Sequence, residues 1–405
     1  MSEPMARPAP AERWLVVAHE ATNSGAPRML LEVLRGVRAA RGPGWSCEIL
    51  LRRGGPLAAE FETLGRVHLL SHPWAQGPML RAGIFRKFID RPWVQPRRLA
   101  AAIAELRPAR FDLVYNNTAT NEYLVPAVRS LGGPVLTHVH ESAQVLREFT
   151  TPAALAQTLD NTDHFLAVSP AVAADLAAAG VPAGRITLAP NFLPALPPEP
   201  DPSARLALRA ALKLPPESFV VAGCGHIHGI KGTDLFVETA AALAGRLAQP
   251  VTFVWLGGET DAGFARDVKR LVHQRNLEGI VRFVGPVPDT RPWFAASDVV
   301  AVTSRVESFS LVALEAAGLG RPVTGFAGAR GLTELLGGEP GLLVPDFDPA
   351  AMAGVLLKLA QDAPAAEKQG RRLRAKVAAD FLAGPRITAL LAVIDRLRQN
   401  HPARS

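Results

Sequence analysis

The residues best suited to chemistry in this chain are two glutamates separated by seven positions, in Glu307-Ser308-Phe309-Ser310-Leu311-Val312-Ala313-Leu314-Glu315. The stretch follows an apolar run at 299–302 and opens a helical pattern that continues to about residue 319. Ser308 or Ser310 can cap that helix. Its first amides, around Leu311 and Val312, then have no acceptor inside the helix, and such a terminus attracts a phosphate. If Ser310 is the cap, Glu315 lies roughly 7–8 Å further along the axis at about 1.5 Å per residue. That spacing separates a diphosphate from the ribose hydroxyls beside it. The two carboxylate oxygens of Glu315 suit a vicinal diol. Glu307, in the loop before the helix, falls on the sugar side of the phosphates. The plain alternative is that both glutamates are solvated and Glu315 pairs with a cation. Their position after a buried strand and at a helix start weighs toward a site.

A second cluster reads Gly223-Cys224-Gly225-His226-Ile227-His228-Gly229-Ile230-Lys231-Gly232. Glycines such as Gly225 let a ligand approach the backbone. Lys231 is a point charge suited to a diphosphate, and His226 can add donors. The run is neither a Walker A loop nor GxGxxG. A tight turn with an exposed lysine explains it equally well when it is taken alone. Earlier in the chain, Asn23-Ser24-Gly25-Ala26 leads into a helix expected near Pro27, a favoured first helical residue. The open amides around Gly25 could meet the diphosphate from the opposite side. In Thr137-His138-Val139-His140-Glu141, after a strand starting at 135, His140 beside Glu141 is the better crevice candidate. Asn116 and Asn117 end another strand and could bind hydroxyls, although paired asparagines are usually turn chemistry.

These residues need strand ends to hold them. Strand-like apolar runs fall at 14–18, 48–51, 113–115, 135–138, 165–168 and 186–188, then at 219–222, 251–256, 281–284, 299–302, 322–325 and 342–344. Most are continuously apolar rather than alternating, which suits parallel strands buried on both faces. Helical stretches lie between them, for example at 27–40, 233–244 and 264–274. The repetition predicts an α/β doubly wound fold. Prolines crowd 193–203 and block a helix interior or a central strand, so this segment is expected to be a linker. The expected domains are 1–195 and 204–384. A last helix, about 386–399, has an apolar stripe that must pack on something, with 385–405 expected against the first domain.

Composition agrees with this. The chain has 405 residues, 48% of them hydrophobic and 20% charged, which is enough for two packed cores. Cys47 and Cys224, its two cysteines, lack metal-ligand spacing, so no metal is expected and a reducing cytoplasm fits. No run of about 20 apolar residues could cross a membrane. A net charge of +7 favours anionic partners, and no nucleic-acid recognition motif accompanies it.

Together the motifs resemble glycosyltransferase family four, the large group of retaining GT-B enzymes, over about residues 16–360. The early glycine turn, the His140-Glu141 segment, Val168-Ser169, Pro190-Asn191, Lys231-Gly232 and the E-x7-E stretch occur in the family's order. The resemblance implies two Rossmann-like domains facing each other across a crevice. It implies that Glu307 faces the transferred sugar and Glu315 holds the ribose. It also implies that Lys231 and a preceding basic residue neutralise the diphosphate. His226 stands where the family usually has arginine, and Ser310 where glycine is common. The implied reaction is transfer of a sugar from a nucleotide-diphosphate sugar to an acceptor, with retained configuration. No cofactor is implied beyond that donor substrate. Catalytic residues are then Glu307, His140 and Lys231; Gly25, Gly225, His226, Ser310, Leu311, Val312 and Glu315 bind the donor.

Two other readings compete. One is a GT-B nucleotide-sugar epimerase, and the other a non-catalytic sugar-nucleotide binding protein, which the His226 departure keeps in play. The acceptor is expected to be a glycan, a lipid-linked molecule or a small molecule. Residues 80–110 carry Arg81, Arg86, Lys87, Arg91, Arg97, Arg98, Arg107 and Arg110 among Ile84, Phe85, Phe88, Ile89, Trp93 and Val94. That pattern suits peripheral attachment to an anionic membrane, or a basic face over the first domain's core.

Overall fold

The computed structural model describes residues 12–71, 94–121 and 123–401. The chain divides into two compact units, Met1–Pro190 with Ala383–Ser405, and Asn191–Leu382.

The first unit is built on seven strands: β1 (Glu12–Glu20), β2 (Trp45–Arg53), β3 (Arg66–Leu69), β4 (Leu113–Asn116), β5 (Val135–Val139), β6 (His164–Ala167) and β7 (Ile186–Leu188). They lie in the order β3-β2-β1-β4-β5-β6-β7, and every neighbouring pair is parallel. Leu15, Val16 and Val17 are fully buried in sequence, because helices cover both faces of the sheet. The edge strand β3 is absent from the apolar runs, since Arg66-Val67-His68-Leu69 reads as polar. It forms because the buried His68 ring bonds Glu48 on β2 at 2.6 Å, while its apolar positions meet the sheet.

The final helix, Ala383–Asn400, buries Ile387, Leu390, Leu391, Ile394 and Leu397. It packs on the helix Gly25–Arg41. A Cβ on Gly36 would lie 2.5 Å from Ile387 Cγ1, so the glycine permits the close crossing. Arg41 pairs with Asp395, and Arg398 with Glu12 at 3.0 Å.

The second unit has six parallel strands: β8 (Phe219–Cys224), β9 (Val251–Leu256), β10 (Val281–Gly285), β11 (Val299–Val302), β12 (Val323–Phe326) and β13 (Leu343–Val344). Their order is β10-β9-β8-β11-β12-β13. Phe236, Phe253 and Trp255 pack edge to face beneath the sheet. The proline-rich segment is shorter as a linker than 193–203. Leu193 N–H donates to Phe381 O at 2.8 Å, and a helix begins at Pro202 with Asp201 as its cap. Proline blocks helix interiors but suits the first helical position, and here it starts the helix Pro202–Ala211.

Both sheets follow one plan: the order runs outward in each direction from the first two strands of the unit. The reversal points lie between β1 and β4 and between β8 and β11. Ligands of open α/β sheets bind beyond the carboxyl ends of the strands at such points.

Candidate functional site

In the second unit the loops after β8 and β11 hold each other. Trp255 Nε1 donates to Gly225 O at 2.9 Å, and His228 Nδ1 accepts from Ile230 N–H at 3.2 Å. A single turn, Gly229–Lys231, then reaches Gly232 at φ +63°. A Cβ there would fall 1.9 Å from Thr303 O, so only glycine lets the loop touch the end of β11. Across this contact Arg305 N–H donates to Ile230 O at 2.8 Å. The Arg305 guanidinium donates to Gly229 O at 2.8 Å and to both Asp234 oxygens at 2.7 and 2.6 Å. Arg305 is therefore a strap between loops.

The strapping sets Lys231 against Glu307. Lys231 Nζ lies 2.7 Å from Glu307 Oε1, and Ser304 Oγ donates to the same oxygen at 2.7 Å. The Glu307 side chain is 10% exposed and that of Lys231 33%, so the lysine faces outward over a nearly enclosed carboxylate. Ser310 caps the helix Leu311–Gly318, its Oγ accepting from Ala313 N–H at 3.3 Å. The amides of Leu311 and Val312 open that helix, and both residues are half-buried. Glu315 Oε2 accepts from Thr290 Oγ1 at 2.8 Å. Lys231, Glu307, Ser310, Leu311 and Val312 thus gather around one reversal point, and Glu315 follows along the same helix. His226 is exposed at the start of the glycine loop and takes no part in the Lys231–Glu307 pair.

The equivalent loops of the first unit carry asparagine and histidine side chains beside two carboxylates, Glu20 and Glu141. Ser24 is the N-cap position of a helix that starts at Gly25, two residues before the expected Pro27. Proline is tolerated throughout the first turn, where the missing N–H would have had no partner. Gly25 and Ala26 therefore supply the open amides. Asn117 Nδ2 donates to Ala26 O at 3.0 Å, and its Oδ1 lies 3.3 Å from His140 Nε2. One asparagine so connects the helix start to His140.

His140 sits over His138, with ring centroids 4.2 Å apart. Nε2 of His138 lies 3.2 Å from Ala189 O, which can only accept, so that nitrogen carries the proton. Its Nδ1 then accepts from Tyr115 Oη at 2.7 Å. Burial pushes His138 down to about 4. Burial, with His138 and His19 nearby, holds His140 well below the usual imidazole value. Both rings are neutral at physiological pH. Glu20, at the end of β1, is lowered to about 2, chiefly by its hydrogen bond with His19.

One sequence candidate, Asn116, falls away, and the neighbour of His140 has a structural task. Glu141 accepts from the N–H groups of Ala119 and His140, both at 3.2 Å, and from Thr118 Oγ1. It fastens its own loops. Asn116 is fully buried, bonding Thr118 O at 2.8 Å and Thr137 Oγ1 at 3.2 Å. Sequence reading missed Thr290, Ser304 and Arg305. The run Thr303-Ser304-Arg305 directly after β11 was the available signal.

A model described as Glycosyltransferase Family 4 matches residues 24–195, and one described as Glycosyl transferases group 1 matches residues 218–362. The chain belongs to glycosyltransferase family four. A D-inositol 3-phosphate glycosyltransferase of Jonesia denitrificans is 38% identical over 216 residues, 51% of this chain and 50% of that protein. One from Streptomyces griseus is 29% identical over 300 residues, 66% of this chain and 64% of that protein. The chain spans about half the length of the first curated relatives it matches. Among solved structures, Anabaena HepE in complex with UDP and glucose has a TM-score of 0.78 at 19% identity, covering 94% of this chain and 99% of that one. Sucrose-phosphate synthase from Thermosynechococcus elongatus has a TM-score of 0.78 at 22% identity, covering 96% and 100%. These likenesses establish the GT-B fold. In this family four chain the candidate residues lie on loops or helices that follow the carboxyl ends of strands.

Proposed function

We propose that the chain transfers a sugar, with retained configuration and without a metal, from a nucleotide-diphosphate sugar to a hydroxyl acceptor. The observation that carries this is the meeting of Lys231, Glu307 and the N-terminus of the helix Leu311–Gly318 at the reversal point between β8 and β11. As the anomeric bond breaks, negative charge grows on the diphosphate. Lys231 and the open amides of Leu311 and Val312 are fixed donors for that charge, which is electrostatic preorganisation. Glu307 receives sugar hydroxyls once Lys231 turns to phosphate. Glu315, held by Thr290, receives the ribose diol. The departing phosphate takes the acceptor's proton.

His140 is a neutral hydrogen-bonding group on the sugar and acceptor side. An inositol phosphate is the first acceptor to try, because relatives carry that activity in their names. UDP is the first nucleotide, because a structural neighbour is named as its complex. A thermal-shift panel of nucleoside diphosphates and their sugars, followed by turnover with and without acceptor, tests the reading. Binding with transfer to inositol 3-phosphate or another hydroxyl supports it. Release of free nucleotide without transfer supports the epimerase, and binding without turnover a non-catalytic protein. The anomeric configuration of the product and activity in chelator test retention and metal independence.

No helix among the described residues is long and apolar enough to cross a membrane. Peripheral attachment to an anionic surface, on the cytoplasmic face, remains part of the proposal. Arg81, Ile84, Phe85, Arg86, Lys87, Phe88, Ile89, Arg91 and Trp93 lie outside the described residues. Vesicle co-sedimentation at low and high salt, with Arg86→Glu and Lys87→Glu together, tests it.

A further inference from the structure

We propose that Asn117 is a positioning residue that fixes the tautomer of His140, so that His140 offers a bare ring nitrogen, Nδ1, to a substrate hydroxyl. The role toward substrate rests on the nucleotide-sugar reading above; the tautomer does not. Asn117 follows β4, and its N–H donates to Val17 O on β1 at 2.9 Å. Its side chain is buried beside the point where the sheet order reverses. Ala26 O accepts and cannot donate, so the Asn117 atom 3.0 Å from it is the amide nitrogen. The amide oxygen, Oδ1, then faces His140 Nε2 at 3.3 Å. That oxygen also accepts and cannot donate, so Nε2 carries a proton.

The ring has one proton to place. Burial, with His138 and His19 nearby, keeps the imidazole neutral. A neutral imidazole with its proton on Nε2 has a lone pair on Nδ1. Nδ1 of His140 has no partner among the described residues. The neighbouring groups do not compete for it. His138 spends its Nε2 proton on Ala189 O and its Nδ1 lone pair on Tyr115 Oη. Glu141 accepts from the backbone N–H of His140 rather than from the ring. A lone pair on a neutral ring attracts an O–H or N–H donor. It has no proton to offer a phosphate or carboxylate oxygen. Asn117 thereby makes His140 selective for a hydroxyl, the opposite preference to that of Lys231.

Nitrogen NMR of the full chain, carrying isotope-labelled histidine and no ligand, reads the tautomer directly. The His140 signals are those lost in His140→Gln. The parent is expected to show a proton on Nε2 and none on Nδ1. A proton on Nδ1, or on both nitrogens at neutral pH, overturns the proposal. Asn117→Ala is expected to give a mixture of tautomers, and Asn117→Asp, which keeps an acceptor oxygen, to restore the single one. Asn117→Leu, similar in shape but without an acceptor, takes the place of Asn117→Ala if that variant does not fold. A His140 spectrum unchanged in these variants, with a lowered melting temperature alone, marks Asn117 as a packing residue and overturns the proposal too. The substrate half is read from transfer with UDP-glucose and the other nucleotide sugars of the panel. His140→Asn puts an amide oxygen near the position of Nδ1, and His140→Gln puts one near Nε2. His140→Asn is expected to stay within about threefold of the parent turnover and His140→Gln to lose roughly tenfold, the range of one neutral hydrogen bond. Equal losses, or the reverse order, remove the hydroxyl contact. Turnover of no nucleotide sugar by the parent removes the proposed function and the substrate role together, while the tautomer still stands or falls by the spectrum.

Discussion

The loops after β8 and β11 join cations to carboxylates, whereas those after β1, β4 and β5 set neutral imidazoles and amides beside carboxylates that fasten the loops. Lys231 with Glu307 and Arg305 with Asp234 are ion pairs at the first place. At the second, the His138 and His140 rings lie tilted against each other with depressed basicity, and Asn117 ties His140 to a helix start. One sheet plan thus supports two electrostatic environments. The difference teaches that strand order chooses where a site lies, while the loops choose which chemistry it can do. A cation held beside open helix amides suits a leaving diphosphate. A neutral imidazole suits hydroxyls, whose protons must be oriented rather than balanced.

Removing charge from the first place should do the most. Lys231→Ala is expected to lower turnover by about 10²–10³-fold, the size seen when one preorganised donor to developing charge is lost. Steady-state kinetics measures this. The contrast fails if His140→Ala lowers turnover as much.

The imidazole pair should reveal itself through acid. His138 is held at about 4 in the folded chain against 6.5 for a free imidazole, so the unfolded chain takes up the proton first as pH falls. The contribution of His138 to stability is therefore complete above about pH 6.5 and declines as pH drops towards 4, where it is lost. A fall from 6.5 to about 4 corresponds to roughly 3 kcal/mol at about 1.36 kcal/mol per pH unit. Urea midpoints across this range test it, and His138→Gln should flatten the slope. An unchanged slope in that variant would show that other groups carry the acid sensitivity.

Glu315→Ala sharpens the charged side. Loss of the diol acceptor should weaken nucleoside and nucleoside diphosphate equally, by about 1.5–3 kcal/mol. A loss confined to the diphosphate would remove the ribose assignment. His140→Ala should have the smallest effect, about 0.5–1.5 kcal/mol on transfer with nucleotide affinity intact, because one neutral hydrogen bond is at stake. Unaltered kinetics would return His140 to a packing role.

The fold was legible because its strands are buried on both faces and read as apolar runs. Strand β3 escaped because Arg66 and His68 satisfy themselves on Glu105 and Glu48, partners remote in sequence. The same limit explains the site. Glu307, Ser310 and Glu315 share one strand-to-helix unit, so their spacing was visible. That Lys231 would rest on Glu307, or Arg305 on Asp234, depends on two loops meeting across parallel strands, and local spacing does not encode it. Asn116 looked like a ligand because polar residues at strand ends bind ligands and fasten loops with the same atoms.

The helix Ala383–Asn400 belongs to the first unit although it comes after the whole second unit in the chain. A ribosome therefore delivers Asn191–Leu382 as one uninterrupted piece, able to complete its core while synthesis continues. The unit begun first waits longest, with the groove beside Gly36 open until Ile387 and Leu390 emerge. An excised 191–382 fragment should fold by itself. Residues 1–190 should need the last segment supplied, either fused behind Pro190 or added as a separate peptide.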